Sequence, residues 1–342
     1  SFSTVSAVSE TAWTSHNPTP RHDGMVSPVN DPAVDQLIVA ASRGDTKARL
    51  SMSRHLSGNP LEVALFGRHQ TPGTVAARLH LFHKLSAEYA RVMARLEISH
   101  PSPAFLFNIV VPIVDFLAAR AATAPGPLLV GIGGGAGAGK TTLSHLLAAC
   151  LPISMATRQR CLSLSLDDFY LPKDERLRLG YKWRTPPGTH DIERLVSFVA
   201  ALERKGGAVS VPRNDLGRDQ PLENEVLDKM PNICIFDGAM VGTRYPGYDV
   251  LTRRIDFLIY LDVPFASLKQ WRFARERKLR EQSGGRTGFS KQEMQAFWDE
   301  SLGPSIEKWV VPNKANADVV LRIGQGRDIL GARRQHSRTE TV

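Results

Sequence analysis

The stretch Leu128-Leu-Val-Gly-Ile-Gly133, followed by Gly134-Gly135-Ala136-Gly137-Ala138-Gly139-Lys140-Thr141-Thr142, decides the fold. Its first six residues are aliphatic or glycine and read as a buried strand, and its last residues open a helical pattern. The residues between satisfy G-x-x-x-x-G-K-[ST]. Strand, glycine loop and helix is the context in which that spacing marks a phosphate-binding loop. Glycines let backbone N–H groups wrap the β-phosphate of ATP, and the helix N-terminus adds positive potential. Gly134, Gly135, Ala136, Gly137, Ala138, Gly139, Lys140, Thr141 and Thr142 are therefore the expected nucleotide-binding residues. Lys140 is expected to reach the β- and γ-phosphates, and Thr141 to ligate Mg²⁺.

Four further aliphatic runs follow, at Cys161–Leu166, Ile233–Phe236, Phe257–Val263 and Val319–Ile323, with helical stretches between them. Near-continuous apolar strands alternating with helices indicate a parallel sheet covered on both faces. The expected fold class is α/β, a P-loop NTPase fold with a five-stranded parallel sheet flanked by helices and an N-terminal helical extension. Helices are expected at Thr141–Leu151, stopping before Pro152, and at Ile192–Lys205. A third, Lys291–Leu302, opens on the capping box Ser290-Lys-Gln-Glu293.

Composition and punctuation divide the chain. Residues 1–30 are rich in Ser, Thr, Pro and Asn and read as a mobile tail; 31–122 carry a helical rhythm that breaks at ATAPGP, Ala122–Pro127. Residues 123–326 form the nucleotide-binding domain, with a lid around 267–290, and 327–342 read as a basic, solvated tail.

A chain of 342 residues, 42% hydrophobic, can bury a large core. The longest apolar candidate, Phe105–Ala119, is interrupted by Asn108, Pro112 and Asp115, so no membrane partner is expected. Cys150, Cys161 and Cys234 lack C-x-x-C spacing, which argues against a disulfide framework or zinc site and fits the cytoplasm. The net charge of +9 is spread along the sequence. Anionic small molecules explain it better than nucleic acid, and the protein is expected to be a monomer or homodimer.

Carboxylates follow two strands. Cys161–Leu166 runs into Asp167-Asp168-Phe169-Tyr170. The carboxyl ends of parallel strands face the ligand crevice. One aspartate can accept the proton of an attacking hydroxyl while the other holds a Mg²⁺-bound water or a substrate hydroxyl, a turn cap being the structural alternative. Ile233–Phe236 ends in Asp237-Gly238, the Walker B layout, which makes Asp237 a Mg²⁺ residue.

Two polar loops, Pro186-Pro-Gly-Thr-His190-Asp191 and Pro212-Arg213-Asn214-Asp215, suit recognition of an acceptor. Asp191 equally suits the N-cap of the next helix. The segment Ser267–Glu281 carries Arg272, Arg275, Arg277, Lys278 and Arg280 ahead of Ser283-Gly-Gly-Arg-Thr-Gly288, a composition that suits a lid closing on phosphates. Its alternative is a solvated helix on which Glu276 and Glu281 pair locally. The nearest match to a guanine-reading N-K-x-D motif, Asn313-Lys-Ala-Asn316, lacks the final Asp.

The run GIGGGAGAGKTTLSHLL, then SLDDFYLPKDERLRL, PPGTHDIERL, VPRNDLGRD and IFDGAMVG, resembles the phosphoribulokinase, uridine kinase and pantothenate kinase group, and within it the D-glycerate 3-kinases. The resemblance spans about Pro103–Ile323. It implies a kinase that transfers the γ-phosphoryl group of ATP, with Mg²⁺, to a small-molecule hydroxyl, foremost that of D-glycerate, with uridine, pantothenate or ribulose phosphate as the alternative acceptors and a non-catalytic nucleotide-binding or switch protein as the alternative of another class. It implies Asp167 as catalytic base, Lys140 and Thr141 on the triphosphate and Mg²⁺, and Arg272 and Arg275 in the lid. It also places Asp168, Tyr170, His190, Asp191 and Arg213 at the acceptor, and the core strands in the order 2-3-1-4-5. Two departures touch the acceptor side: Pro212-Arg213-Asn214-Asp215-Leu216 replaces a Pro-Arg-Phe-Asp-Lys run, and Asp237-Gly238-Ala239 replaces Glu-Gly-Trp.

Overall fold

A computed structural model of the chain describes residues 32–67, 72–98, 102–155, 160–204 and 207–335. The expected tail over residues 1–30, and the end of the basic segment from residue 336, lie outside the described residues.

Among the described residues five helices come first: α1 (Pro32–Ser42), α2 (Thr46–Gly58), α3 (Pro60–Phe66), α4 (Pro72–Arg95) and α5 (Pro103–Thr123). Local chemistry sets several of their ends. Asp45 caps α2 by accepting from the Ala48 N–H at 2.9 Å, and Asn59 caps α3 by accepting from Leu61, with Pro60 in the first turn. Arg78 of α4, buried to 4% exposure, ties Glu62 of α3 and Asp115 of α5 together at 2.7 and 2.5 Å. Helix α5 has the length and apolarity to cross a membrane, which the sequence reading did not anticipate. The most apolar window of the helix is 61% buried within the protein, as in a core helix.

The central sheet has six strands rather than the expected five. They are β1 (Leu128–Gly134), β2 (Cys161–Ser165), β3 (Ile233–Asp237), β4 (Phe257–Asp262), β5 (Val319–Ile323) and β6 (Ile329–Arg334). The order across the sheet is β2-β3-β1-β4-β5-β6, with the first five parallel and β6 antiparallel to β5. Strand β6 occupies part of the expected C-terminal tail. Its turn places Arg327 at φ 65°, with the guanidinium 4.4 Å from the Trp271 ring centre, and α3 packs against the strand.

Alternation distributes the strand side chains between two apolar layers. Val130, Ile132, Ile259 and Leu261 join the layer under the N-terminal helices, and Leu129, Leu258 and Tyr260 join the opposite one. Helix α6 (Lys140–Ser154) lies on the first face. It runs past Pro152 instead of stopping before it, because the ring falls in the last turn and Met155 N–H still reaches the Leu151 carbonyl at 3.1 Å. A short helix α7 (Lys173–Arg178) leads toward the second face, where α8 (Ile192–Glu203) buries Leu195, Phe198, Val199 and Leu202 at helical spacing. The Phe198 ring packs edge-on against Phe169 and Phe236 at 5.9 Å. Helix α9 (Asp249–Arg254) packs beside α8. Helix α10 (Phe265–Gln282), which covers most of the segment expected as a lid, is followed by α11 (Lys291–Phe297), which has the expected capping box and continues as a π-turn through Leu302. The loop expected around Pro212 contains short antiparallel pairings, Val209–Val211 with Glu225–Leu227 and Asn214–Asp215 with Gln220–Pro221.

Candidate active site

The phosphate loop leaves β1 and enters α6 with Gly134 at φ 139°, Gly137 at 87° and Gly139 at 95°, a backbone that side-chain-bearing residues seldom adopt. At Gly135 the constraint is space, since a Cβ would lie 2.4 Å from Leu268 Cδ1 of the lid helix. Lys140 donates from Nζ to the Gly135 carbonyl at 2.9 Å. Burial lowers its pKa, opposed by the charges of Asp237 and Asp167.

Thr141 Oγ1 donates to Asp237 Oδ1 at 3.1 Å, joining the start of α6 to the tip of β3. Asp237 is 3% exposed. Burial raises its pKa to about 6 against the pull of Lys140, with the Asp167 charge adding to the rise. At the adjacent strand end, Asp167 sits in a 3₁₀ turn, Leu166–Phe169. Its carboxyl is also raised by burial, opposed by Lys140 and Arg184, and it bonds the Tyr170 hydroxyl. Lys140, Thr141, Asp167 and Asp237 are thus brought together.

Asp168 is built in. Oδ2 accepts from the Ser165 N–H at 2.9 Å, Oδ1 accepts from Asn214 N–H at 3.3 Å, and Arg213 Nη1 lies 3.6 Å from Oδ2. The turn-cap alternative therefore describes its bonding. Arg213 also donates to Glu225 at 2.7 Å. Asp191 caps α8, accepting from Arg194 N–H at 2.9 Å.

Tyr170 stacks on His190 at 4.2 Å with an interplanar angle of 26°. The Tyr248 hydroxyl accepts from Gly188 N–H at 3.1 Å and lies 2.8 Å from His190 Nδ1. Donating its one proton to Nδ1 pairs the hydroxyl with that ring nitrogen and leaves His190 protonated on Nε2, which is buried without a hydrogen-bond partner among the described residues. Burial depresses the His190 pKa to about 3, so the imidazole is neutral.

Helix α10 brings Arg272 within electrostatic reach of Asp167, Arg184 and Arg275. Its pKa is lowered first by burial, and Glu276 opposes that by pairing at 2.7 Å. Glu276 thus pairs locally, as the solvated-helix alternative has it, but at 5% exposure it is buried rather than solvated. Arg275 is exposed, and its charge acts on Lys140.

Two participants, Arg184 and Tyr248, had no signal in the sequence, and a third, Glu276, was legible only as a local ion-pair partner. Arg184 holds Asp219 at 3.2 Å, sits 5.5 Å from the Tyr170 ring centre and acts on Asp167. Tyr248 and Glu276 orient His190 and Arg272 in the ways just described. Conversely, Asn313 and Asn316 donate to the Ala239 and Gly242 carbonyls, a structural use of the N-K-x-N run.

The residues fit ATP and Mg²⁺. The glycine backbone leaves no room for a side chain at Gly135, and Thr141 and Asp237 present one hydroxyl and one carboxylate together. Among the described residues no cluster of three or more His, Cys, Asp or Glu could hold a metal. Mg²⁺ takes few protein ligands and the rest from phosphates and water, and Thr141 and Asp237 are the pair that could supply the protein's share.

No protein-family model matches the chain. In sequence it is similar to the pantothenate kinase of Vibrio cholerae, 27% identical over 219 residues that cover 58% of this chain and 69% of that protein. The pantothenate kinase of Shewanella amazonensis is 29% identical over 219 residues, with the same coverage of 58% and 69%. In structure it is similar to the YGR205w protein, with a TM-score of 0.55, 17% identity, and coverage of 67% of this chain and 98% of that one. The fold is the α/β P-loop kinase fold, and the sequence likeness is to pantothenate kinases. Nothing in these likenesses singles out D-glycerate.

Proposed function

We propose that this chain is an ATP- and Mg²⁺-dependent kinase that phosphorylates a hydroxyl group of a small molecule in the cytoplasm. The observation that carries the reading is the junction of Thr141 with Asp237, with Lys140 and Asp167 in electrostatic contact beside it. Bound Mg²⁺·ATP supplies the phosphoryl group and neutralises its charge. Lys140 and the loop amides bind the phosphates, and Thr141 and Asp237 hold the cation. Asp167 accepts the proton of the acceptor hydroxyl; the burial that raises its pKa makes it a stronger base, and Tyr170 keeps it oriented. Arg272 and Arg275 stabilise charge on the group in transfer, and closure of α10 excludes water.

For the acceptor, the sequence likeness to pantothenate kinases favours a pantothenate-like hydroxy acid over D-glycerate. The neutral His190, stacked on Tyr170, and Arg184 are the groups that would meet it. The test is ADP release with ATP and Mg²⁺ against pantothenate, D-glycerate, uridine and ribulose 5-phosphate. Stimulation by pantothenate supports the reading, and stimulation by D-glycerate alone moves the acceptor back to the sugar acids. Asp167→Asn should lower kcat by a factor on the order of 10²–10⁴ with ATP binding kept. A variant as active as the parent removes Asp167 as the base.

A further inference from the structure

The lid carries more cations than the phosphate-facing pair. Arg277 and Arg280 of α10 line an open pocket of about 590 Å³ bordered by α10, the loop after it and α11, and Lys291 joins them. Phe273, Phe289 and Met294 supply apolar wall. The lid's ion pairs among the described residues are Lys269 with Asp299, Arg272 with Glu276, and Lys278 with Glu97. Arg277, Arg280 and Lys291 have no carboxylate within salt-bridge distance among those residues, Arg280 acting only at longer range on Glu293.

Two carboxylates also line the pocket. Glu276 is committed, held by Arg272 at 2.7 Å and accepting from the Phe289 N–H at 3.2 Å. Glu281 is exposed and leaves a surplus of positive charge over an apolar wall. The loop is fitted to the helix. Gly288 has φ 84°, and a Cβ there would lie 3.0 Å from the Glu276 carbonyl oxygen and 3.2 Å from the Arg280 nitrogen.

We propose that this pocket binds a small organic anion with an apolar body, and that occupancy is linked to the nucleotide through Glu276, which forms part of the pocket wall and orients Arg272. Three unpaired cations select the anionic head, and Phe273, Phe289 and Met294 take the body. The link to the nucleotide rests on the phosphotransfer reading; the pocket does not.

The probe is anilinonaphthalene sulfonate, titrated by fluorescence into the intact chain. Saturable binding to one site is expected, weakened about tenfold or more in Arg277→Glu/Arg280→Glu and in Lys291→Glu. These side chains are exposed, so thermal melting should match the parent. Decanoate should displace the dye, and inorganic phosphate, which lacks the body, should not. Absent binding, binding that both charge reversals leave unchanged, or displacement by phosphate alone overturns the pocket. Saturating Mg²⁺·ATP should shift dye affinity by about fivefold or more in the parent, and Glu276→Gln should abolish the shift. A parent that binds ATP with no such shift overturns the link. A parent that does not bind ATP overturns the phosphotransfer reading and leaves the dye titration to decide the pocket.

Discussion

Replacing Gly135 by alanine should strain the junction between the phosphate loop and the root of the lid. The new Cβ would lie 2.4 Å from Leu268 Cδ1 and 3.1 Å from Cδ2, well inside the ~3.5–4.0 Å at which carbon atoms attract. Leu268 is 3% exposed in the first turns of α10, so its side chain has no open water to move into. Forcing one methyl into such packing costs about 1–3 kcal/mol. Leu268→Ala alone removes buried atoms and should cost about 2–5 kcal/mol. In that truncated background the Gly135 methyl has space, so most of its penalty should vanish. The assay is urea denaturation of the parent, both single variants and the double variant, with ATP titrations alongside. The expected coupling is about 1–3 kcal/mol, accompanied by weaker ATP binding in Gly135→Ala that recovers in the double variant. Strict additivity of the two stability losses would refute the argument, because the loop and the lid root would then not share that volume.

The Asp237 carboxyl should make stability depend on pH in Mg²⁺-free buffer. Its pKa rises from 3.8 to about 6 on folding, so the folded chain holds the proton more tightly than the unfolded one. Stability is then full below about pH 4 and falls as pH rises through about 6, by about 3 kcal/mol. Asp237→Asn should exceed the parent by that amount at pH 8 and match it near pH 4, and parallel denaturation profiles would defeat the assignment. Tyr248→Phe leaves the Gly188 N–H and His190 Nδ1 unpaired, which should cost about 1–3 kcal/mol and raise the acceptor KM with the ATP KM unchanged. Arg78→Met removes the guanidinium that pairs with the fully buried Glu62 and should cost about 3–5 kcal/mol, part of it recovered in Arg78→Met/Glu62→Leu; a double variant no better than the single one refutes the ion-pair account.

The phosphate loop was legible because its chemistry demands glycines at fixed spacing, and β1 through β5 because buried parallel strands are continuous apolar runs. Strand β6 was not, since Ile329-Leu-Gly-Ala-Arg-Arg334 is a half-exposed edge with a central glycine and two arginines, a composition shared with solvated tails. The helix past Pro152 was missed because proline reads as a stop, whereas the ring costs one amide bond and the Met155 N–H beyond it still reaches the Leu151 carbonyl. Asp167 and Asp237 were visible as acids at strand ends. Arg184 and Tyr248 were not, because each is a lone residue whose partners, Asp219 and His190, lie far off in sequence and meet it only in the folded chain. Glu276 could be read as a neighbour of Arg272 at i,i+4, but not as buried, since that depends on the loop that folds back over it.

The seat of α3 against β6 has a consequence for the order in which the molecule is completed. One partner is near the start of the described chain and the other near its end, so synthesis delivers the helix long before the strand that covers it. Until Ile329–Arg334 has emerged, the far edge of the sheet stays open and α3 lacks one of its supports. A chain stalled or cleaved ahead of residue 329 would keep every residue of the phosphate loop and both strand-end aspartates, yet display an unpaired β5 edge of the kind that recruits other strands. Closure of the fold thus depends on its last strand, while the candidate site is encoded well upstream of it.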